Sequence, residues 1–335
     1  MNDMAGIADI FRRDTAALAP LAGVNDSVFR RICAEFGARP VLTEMLSSDG
    51  LVRGNMDKAA TRMLRFGDDE RPIGYQLFGS DPYIMGEAAR RLSVRRPDFI
   101  DINAGCPVKK VISHDAGSAL MKKPRLLGDI VAATVKGSSV PVTVKIRSGW
   151  DHDSINAVEV ARVCESEGAQ AVIVHPRTRS QGFSGTADWS VIAAVKDAVS
   201  VPVIGSGDIN THEDAAAMLE LTGADGIIIG RRAMHDPWVF ERVNARLRGE
   251  SVPGEPSVGE RLDLALRQLG ELAVEVSERF AVLNMRKFFG WYSKGAVGGA
   301  EFRRQVFRAE SIDGVTKIVR EFQELSREKE VEEVM

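Results

Sequence analysis

Short runs of apolar, often β-branched residues alternate with amphipathic stretches along the first 230 residues of the chain. The runs at 172–174 (VIV) and 227–229 (III) have no polar interruption, which is typical of strands buried on both faces. Strands alternating with helices indicate βαβ units and a parallel sheet. Eight such units are the number that closes a barrel, so the pattern predicts a (β/α)8 TIM barrel. The predicted strands are 17–22, 40–44, 73–78, 99–103, 140–146, 171–175, 201–205 and 226–230, and helices are expected at 26–36, 81–92, 156–167 and 212–221.

An open, doubly wound sheet is the alternative that the same alternation allows. No G-x-G-x-x-G pattern follows the first predicted strand, and this weakens a dinucleotide-binding interpretation. After Arg232 the strand pattern stops and the chain is helical, apart from a Gly-, Pro- and Ser-rich segment at 249–259. We therefore expect two domains: the barrel over residues 1–240 and a small all-helical domain over 241–335.

Charge limits how the protein could bind a nucleic acid. The 335 residues are 44% hydrophobic and 27% charged, as in ordinary globular proteins, and the formal net charge is −3. Binding to a polyanion therefore has to rest on local positive charge. One such region lies at 286–320, where eight Lys and Arg residues stand against three acids.

The cysteine pattern and the hydropathy argue against disulfide-rich, metal-binding and membrane-spanning proteins. The cysteines at 33, 106 and 164 are widely spaced, and the chain has no C-x-x-C motif or Cys/His cluster. This argues against a disulfide framework and predicts no metal site. The N-terminal segment has no continuous apolar stretch, and no run approaches the ~18 apolar residues of a membrane span. We expect a cytoplasmic monomer without membrane contact.

Polar residues stand at the C-terminal ends of six predicted strands, which is where TIM barrels carry their active sites. Gly-rich loops follow strands seven and eight, a place where such barrels often bind a phosphate group through backbone N–H groups. Asn103 and His175 also admit structural roles, Asn103 as a partner of backbone groups near Cys106 and His175 as a core histidine. The residues at these ends are Gln76, Asn103, Lys145, His175, Ser206, Gly207, Asp208, Gly230 and Arg231.

Cys106 carries the most specific chemistry. It follows the fourth predicted strand in a Gly-Cys-Pro turn, whereas Cys33 and Cys164 fit the usual role of a small buried apolar residue. An ordinary thiol has a pKa of about 8.5, so at neutral pH it is mostly protonated. It can act as a general acid or, once deprotonated, as a nucleophile. The residues alone therefore indicate a barrel enzyme with a phosphate-bearing cofactor and a reactive thiol.

At these residues the chain resembles the bacterial branch of the tRNA-dihydrouridine synthase family. The resemblance is strong over about residues 15–240 and looser in the helical region. The combination of N-x-G-C-P with H-x-R-T-R is specific to it. The segments that carry the resemblance are LAPLAGVNDSVFRRIC (18–33), TEM (43–45), YQLFG (75–79), DFIDINAGCPVKKV (98–111), GSALM (117–121), PVTVKIRSGW (141–150), HPRTRSQGFSGTADW (175–189), PVIGSGDI (202–209), TGADGIIIGRRA (222–233), PWVF (237–240) and MRKFFGWYSKG (285–295).

The resemblance implies a cofactor and a reaction. FMN would lie across the barrel mouth and NADPH (or NADH) would reduce it. A hydride would then pass to C6 of a uridine, and Cys106 would protonate C5. The protein would supply orientation and the proton. The cofactor-binding residues implied are Pro20, Leu21, Ala22, Gln76, Asn103, Lys145 and His175, with Ser206, Gly207, Asp208, Gly230 and Arg231 at the phosphate.

The resemblance also implies tRNA as the substrate. The target base would have to leave its stack to reach the flavin. The positive stretch in the helical domain would hold the tRNA body through phosphate contacts. The tRNA-contacting residues expected are Lys109, Lys110, Arg177 and Arg179 at the barrel, and Arg286, Lys287, Arg303 and Arg304 in the helical domain.

Three positions depart from the family pattern: Pro176 stands where Gly is more common, Ser206 where Asn is, and Phe288 where a His usually follows Arg-Lys. Two other functions compete with the synthase. One is an FMN barrel that acts on a free pyrimidine or another small molecule, which would not need the basic helical domain. The other is a non-catalytic RNA-binding protein, which would not need Cys106 or Lys145.

Overall fold

Eight parallel strands close into a barrel in the computed structural model, which describes residues 6–54 and 58–334. The strand order is sequential, and β8 pairs with β1 to complete the ring. Helices cover the outside between the strands, so the predicted TIM barrel is confirmed. The strands are β1 (Ala16–Leu18), β2 (Val41–Ser47), β3 (Ile73–Phe78), β4 (Phe99–Ala104), β5 (Val142–Arg147), β6 (Ala171–His175), β7 (Val203–Ser206) and β8 (Gly226–Ile229).

Sixteen helices are assigned within the described ranges, along with three short 3₁₀ turns. No helix in those ranges is long and apolar enough to cross a membrane. The helices are α1 (Ile7–Ile10), α2 (Ser27–Glu35), α3 (Ser48–Arg53), α4 (Lys58–Met63), α5 (Pro82–Ser93), α6 (Lys109–Ile112), α7 (Pro124–Gly137), α8 (Ala157–Ser166), α9 (Ser190–Ala198), α10 (His212–Thr222), α11 (Arg231–His235), α12 (Val239–Arg248), α13 (Val258–Glu275), α14 (Glu278–Tyr292), α15 (Gly299–Val306) and α16 (Ile312–Val334).

Proline explains where several strands begin. Strands β3 and β6 have the predicted bounds, whereas β5 and β7 begin two residues later than predicted. In both cases the strand starts directly after a proline, Pro141 or Pro202, which has no N–H to give to the ladder. Strand β2 runs three residues further than predicted and contains an irregularity in register between Leu42 and Met45.

The interior of the barrel is apolar at the N-terminal ends of the strands. Phe11, at the end of α1, packs edge-on against Phe99 of β4 with 5.3 Å between ring centroids. Both rings belong to a buried cluster with side chains from β1, β2, β6, β7 and β8. This plug leaves the polar side chains to the opposite, C-terminal end of the barrel.

The structure divides into two compact units, and the chain crosses between them more than once. One unit contains the barrel up to Gly230 together with Val239–Val252, and the other contains Arg231–Trp238 together with Pro253–Met335. Helix α12 therefore belongs with the barrel, although the predicted boundary at 240 put it in the helical domain. Its Asn244 explains this, because the side chain accepts a hydrogen bond from the N–H of Ala16 and donates one to the carbonyl of Gly37.

The second unit is built from α11 and α13–α16 around an aromatic core. Phe288 of α14 is fully buried and packs edge-on against Trp291 and Tyr292. Phe302 of α15 lies 4.6 Å from the ring of Phe322 in α16. The side chain at position 288 therefore serves the core of this unit, which gives a structural reason for an apolar residue there.

A buried ion pair fixes α2 to the segment before β3. Arg30 and Glu70 are both fully buried, and the guanidinium Nε lies 2.6 Å from a carboxylate oxygen. Arg30 also donates to the carbonyls of Asn25 and Arg65, while Ser27 donates to Glu70. Such a pair is costly to break because the remaining charge stays buried without its partner.

We expect Glu70→Ala to lower the free energy of unfolding by about 3–5 kcal/mol, because it leaves the Arg30 charge buried and unpaired. The matched control is Asp49→Ala, which removes an exposed pair with Arg53 and should cost about 1 kcal/mol or less. Urea denaturation of both variants measures the difference. Equal losses of unfolding free energy in the two variants would show that the buried ion pair stabilises the protein no more than the exposed one.

Candidate active site

Lys145 stands at the C-terminal end of the barrel without a partner. It lies opposite Asn103 in the β4–β5 ladder, and its ammonium group makes no hydrogen bond or ion pair with any described residue. Burial lowers the pKa of Lys145, and the nearby charge of Arg147 lowers it further, whereas Asp101 and Cys106 act in the opposite direction. A cation held this way is stabilised by any anion that enters the barrel mouth.

The turn that presents Cys106 is held from both sides. The side-chain oxygen of Asn103 accepts from the N–H of Cys106 at 2.9 Å and from the N–H of Gly105 at 3.2 Å. The carbonyl of Cys106 accepts from both the N–H and the hydroxyl of Ser118. Gly117 makes this approach possible, since a Cβ there would lie 2.8 Å from that carbonyl oxygen. The backbone that carries the thiol is therefore fixed before any ligand binds.

The thiol of Cys106 is kept protonated by its surroundings. Burial raises the pKa of Cys106, while a hydrogen bond from the backbone of Val108 and the charges of Arg147 and Lys145 partly oppose this. A raised pKa keeps the proton on sulfur at neutral pH, so the group suits general-acid chemistry better than nucleophilic attack.

A row of polar side chains lies beneath the thiol across β3, β4 and β5. Asn103 donates through Nδ2 to Gln76, and Gln76 donates through Nε2 to Asp101 at 2.6 Å. Thr143 donates its hydroxyl to the other oxygen of Asp101. All but Asn103 are fully buried, and Asn103 is 6% exposed. Burial raises the pKa of Asp101, against the hydrogen bonds from Gln76 and Thr143 and the charge of Lys145.

The loops after β7 and β8 offer backbone donors. Neither the N–H of Gly207 nor that of Gly230 has a hydrogen-bond acceptor among the described residues. Gly207 has a φ of +104° and stands so close to His175 that a Cβ would lie 2.9 Å from the imidazole Cδ2. At Gly230 a Cβ would meet nothing nearer than 3.7 Å. Two free N–H groups on neighbouring loops are the arrangement that binds a phosphate group.

The remaining residues of the predicted cofactor set are placed as follows. Pro20 and Leu21 are half-buried and Ala22 is exposed in the turn after β1. The carboxylate of Asp208 accepts hydrogen bonds from Arg177 and from the N–H of Ala187. The other members of the set are Ser206, which is 7% exposed at the end of β7, and Arg231, which begins α11.

Arg177 is buried, unlike the tRNA-contacting residue that the sequence led us to expect. It is 2% exposed, and its guanidinium donates to the carbonyls of Ser184 and Gly185 and to Asp208. One Nη also lies 3.5 Å from Nε2 of His175. With its donors used inside the protein, Arg177 joins the loop after β6 to the loop after β7.

Other basic residues of the expected tRNA set at the barrel are accessible. Lys109 and Lys110 are exposed in α6, directly after the Cys106 turn. Arg179 is half-buried with its guanidinium 4.5 Å from the ring centroid of Trp150, and Lys122 approaches the same ring at 4.8 Å. No sequence signal links Lys122 and Trp150 to this site, because they are remote from Arg179 in the chain.

The basic residues of the helical unit are partly engaged within it. Arg304 is exposed and forms an ion pair with Glu301 one turn earlier in α15. The neighbouring Arg303 donates to Ser293 at 3.4 Å. In α14, Arg286 donates to a backbone carbonyl and Lys287 lies 5.3 Å from the centroid of a neighbouring phenylalanine ring.

Two buried residues at the site were not among the predicted site residues. Asp101 alternates with Asn103 on the same face of β4, a period-two signal that could have found it. Arg147 is 2% exposed and donates to the carbonyls of Gly105, Thr178 and Gly182. It thereby connects the cysteine turn with the loop after β6, a contact that no sequence pattern shows.

Comparison with known proteins assigns the chain to a protein family. The family model described as dihydrouridine synthase (Dus) matches residues 17–329. The chain belongs to the dihydrouridine synthase family. Within the described residues, no group of three or more His, Cys, Asp or Glu side chains could hold a metal ion.

Relatives of this dihydrouridine synthase family member match nearly its whole length. It is 42% identical over 306 residues to a tRNA-dihydrouridine synthase B of Pseudomonas aeruginosa, covering 91% of each chain. It is 40% identical to a probable tRNA-dihydrouridine synthase of Rickettsia conorii, covering 90% of this chain and 91% of the relative.

Among solved structures, histamine dehydrogenase from Rhizobium sp. 4-9 shares the fold, with a TM-score of 0.54 and 14% identity. The alignment covers 76% of this chain and 48% of that one, so the dihydrouridine synthase family member spans about half the length of the neighbour. At this identity the similarity shows the fold alone.

The environment of Cys106 predicts how the folded protein reacts with iodoacetamide. Cys33 and Cys164 are fully buried, so we expect Cys106 alone to be modified. Because burial raises the pKa of Cys106, the rate at pH 7 should be low and should rise with a midpoint above the free-thiol value of about 8.5. Mass spectrometry of the alkylated protein against pH measures this, with Cys106→Ser as the unreactive control. A midpoint below the free-thiol value would contradict the assignment of a protonated thiol.

Proposed function

We propose that this protein reduces a uridine of tRNA to 5,6-dihydrouridine, using FMN that NADPH reduces. The observation that carries the proposal is the fixed turn of Cys106, with Lys145 nearby making no direct ion pair with a described residue, in a barrel of the dihydrouridine synthase family. Burial raises the pKa of the Cys106 thiol, which supports a general acid. The names of the relatives from Pseudomonas aeruginosa and Rickettsia conorii support tRNA as the substrate.

The residues at the barrel mouth suit FMN. The ammonium group of Lys145 would meet the electron-rich edge of the flavin ring, and the free N–H groups of Gly207 and Gly230 would meet its phosphate. The bound flavin supplies the hydride. The residues proposed to hold it are Pro20, Leu21, Ala22, Gln76, Asn103, Lys145, His175, Ser206, Gly207, Gly230 and Arg231, with Asp208 shaping the phosphate loop through its bond to Arg177.

Cys106 provides the second hydrogen of the product. Reduction of the uridine C5=C6 bond adds a hydride at C6 and a proton at C5. The thiol donates that proton, and the resulting thiolate takes up another from solvent before the next turnover. Because Asn103 and Ser118 fix the backbone of Cys106, the thiol is held in position for this transfer.

Access to a base of folded tRNA requires that the base leave its stack. Lys109, Lys110 and Arg179 lie on the loops after β4 and β6, where they would meet phosphates next to the extruded base. The positively charged stretch 286–320 of the helical unit is proposed to hold the rest of the tRNA. Arg177 is left out of this set because its donors are used within the protein.

We expect Cys106→Ala to retain flavin and to oxidise NADPH, but to form dihydrouridine about 10²- to 10⁴-fold more slowly, since it lacks the general acid. The measurement is nucleoside mass spectrometry of unmodified tRNA incubated with protein and NADPH. Cys164→Ala, which removes a buried thiol of α8, is the matched control and should remain active.

Undiminished product with Cys106→Ala would remove the thiol from the reaction. Free uridine is incubated in parallel, because reduction of free uridine without reduction of tRNA would identify a small-molecule enzyme instead. A purified protein that retains no flavin would argue for a non-catalytic RNA-binding role.

We expect Arg304→Glu to weaken tRNA binding about three- to tenfold and to flatten its dependence on salt, because a phosphate contact is lost. Arg90→Glu is the matched control. Arg90 is exposed to a similar degree as Arg304 and pairs in the same way with a glutamate three residues earlier, but lies on barrel helix α5. Filter binding at several salt concentrations measures both. Equal effects of the two substitutions would place the tRNA body away from α15.

A further inference from the structure

A single hydrogen-bonded relay leads from the buried carboxylate of Asp101 to the catalytic turn. Asp101 accepts from Gln76, Gln76 accepts from Asn103, and the oxygen of Asn103 accepts from the N–H groups of Gly105 and Cys106. We call Asp101, Gln76 and Asn103 the relay. It spans the neighbouring strands β3 and β4, and its members are at most 6% exposed.

The two ends of the relay determine its direction. Backbone N–H groups can only donate, and a carboxylate can only accept, whereas each amide has one donating and one accepting end. Only one orientation of the Gln76 and Asn103 amides therefore satisfies every contact. Turning either amide over would place two donors or two acceptors face to face in a site without bulk water, at a cost of about 1–3 kcal/mol per unsatisfied group.

We infer that Asp101 is a positioning residue for the thiol: its carboxylate fixes the Gln76 amide, which fixes Asn103, which holds the Cys106 turn. The inference rests on the proposed role of Cys106 as the proton donor. Asp101 itself lies at the far end of the relay from the turn, so its contribution is orientation rather than contact with the substrate.

The relay also links the two halves of the proposed site. Gln76 and Asn103 belong to the residues proposed to hold the flavin, and Asn103 also holds the turn of the proton donor. Thr143 donates to the oxygen of Asp101 that Gln76 does not use, so this hydrogen bond lies outside the relay. The carboxylate of Asp101 thus aligns both the residues proposed to hold the flavin and the turn that carries the proposed proton donor.

The test compares Asp101→Leu with Asp101→Asn. Leucine offers no acceptor, so Gln76 is free to turn over and Asn103 no longer holds the turn. Asparagine still presents an oxygen to Gln76 and should preserve the relay. We expect Asp101→Leu to form dihydrouridine about ten- to 100-fold more slowly at saturating tRNA, and Asp101→Asn to stay within about threefold of wild type.

A second readout follows the thiol without tRNA or turnover. Release of the turn would admit water to Cys106 and lower its raised pKa. Alkylation of Cys106 by iodoacetamide at pH 7 should therefore become about three- to tenfold faster in Asp101→Leu, although product formation slows. Thr143→Val is the matched control, since it removes the hydrogen bond on the other side of the carboxylate and should leave alkylation unchanged.

A double variant separates positioning from loss of structure. If Asp101 acts through Asn103, Asp101→Leu combined with Asn103→Ala should be no slower than the slower single variant. The proposal would be overturned if the losses of activity in the two single variants added up in the double variant. It would also be overturned if Asp101→Leu and Thr143→Val changed the alkylation rate equally. The alkylation experiment tests the relay without any turnover. If the wild-type protein reduced no uridine, that result would count against the proposed function, and the alkylation rates would still test the relay.

Discussion

Closure of a parallel barrel through the pairing of β8 with β1 is the constraint on which the rest of the barrel unit depends. Because all eight strands run the same way, their C-terminal ends meet at one rim, and side chains far apart in the chain become neighbours. Cys106, Lys145, His175 and Gly207 lie within or just after four different strands. The opposite end is plugged by the rings of Phe11 and Phe99 and the apolar cluster around them.

Burial at this rim sets the chemistry of its ionisable groups. The same low-dielectric surroundings raise the pKa of Cys106 and of Asp101 and lower that of Lys145. The ammonium group of Lys145 makes no direct ion pair with a described residue, although the charge of Asp101 acts on it. An electron-rich ligand at the rim would stabilise this cation further.

The sequence predicted the repeated strand–helix pattern and the placement of Cys106 directly after the fourth strand, because both depend on local signals. Burial of individual polar residues was harder to predict. Arg177 and Arg179 stand two residues apart in the same motif, yet one guanidinium is buried on loop carbonyls and the other lies on Trp150. Helix α12 has the same amphipathic character whichever unit it covers, and contacts such as those of Asn244 with Ala16 and Gly37 show where it belongs. These outcomes depend on tertiary contacts that a single sequence does not encode locally.

Buried arginines explain how loops on separate strands act as one assembly. A guanidinium has five donors in a planar arrangement, and Arg147 and Arg177 use theirs mainly on backbone carbonyls. Arg147 joins the carbonyl of Gly105, next to Cys106, to the loop after β6, and Arg177 joins that loop to the loop of Gly207. The turn of Cys106 and the loop of Gly207 are therefore connected through two charged side chains. A ligand that engaged the N–H of Gly207 would therefore bind a loop that hydrogen bonds already connect to the turn of Cys106.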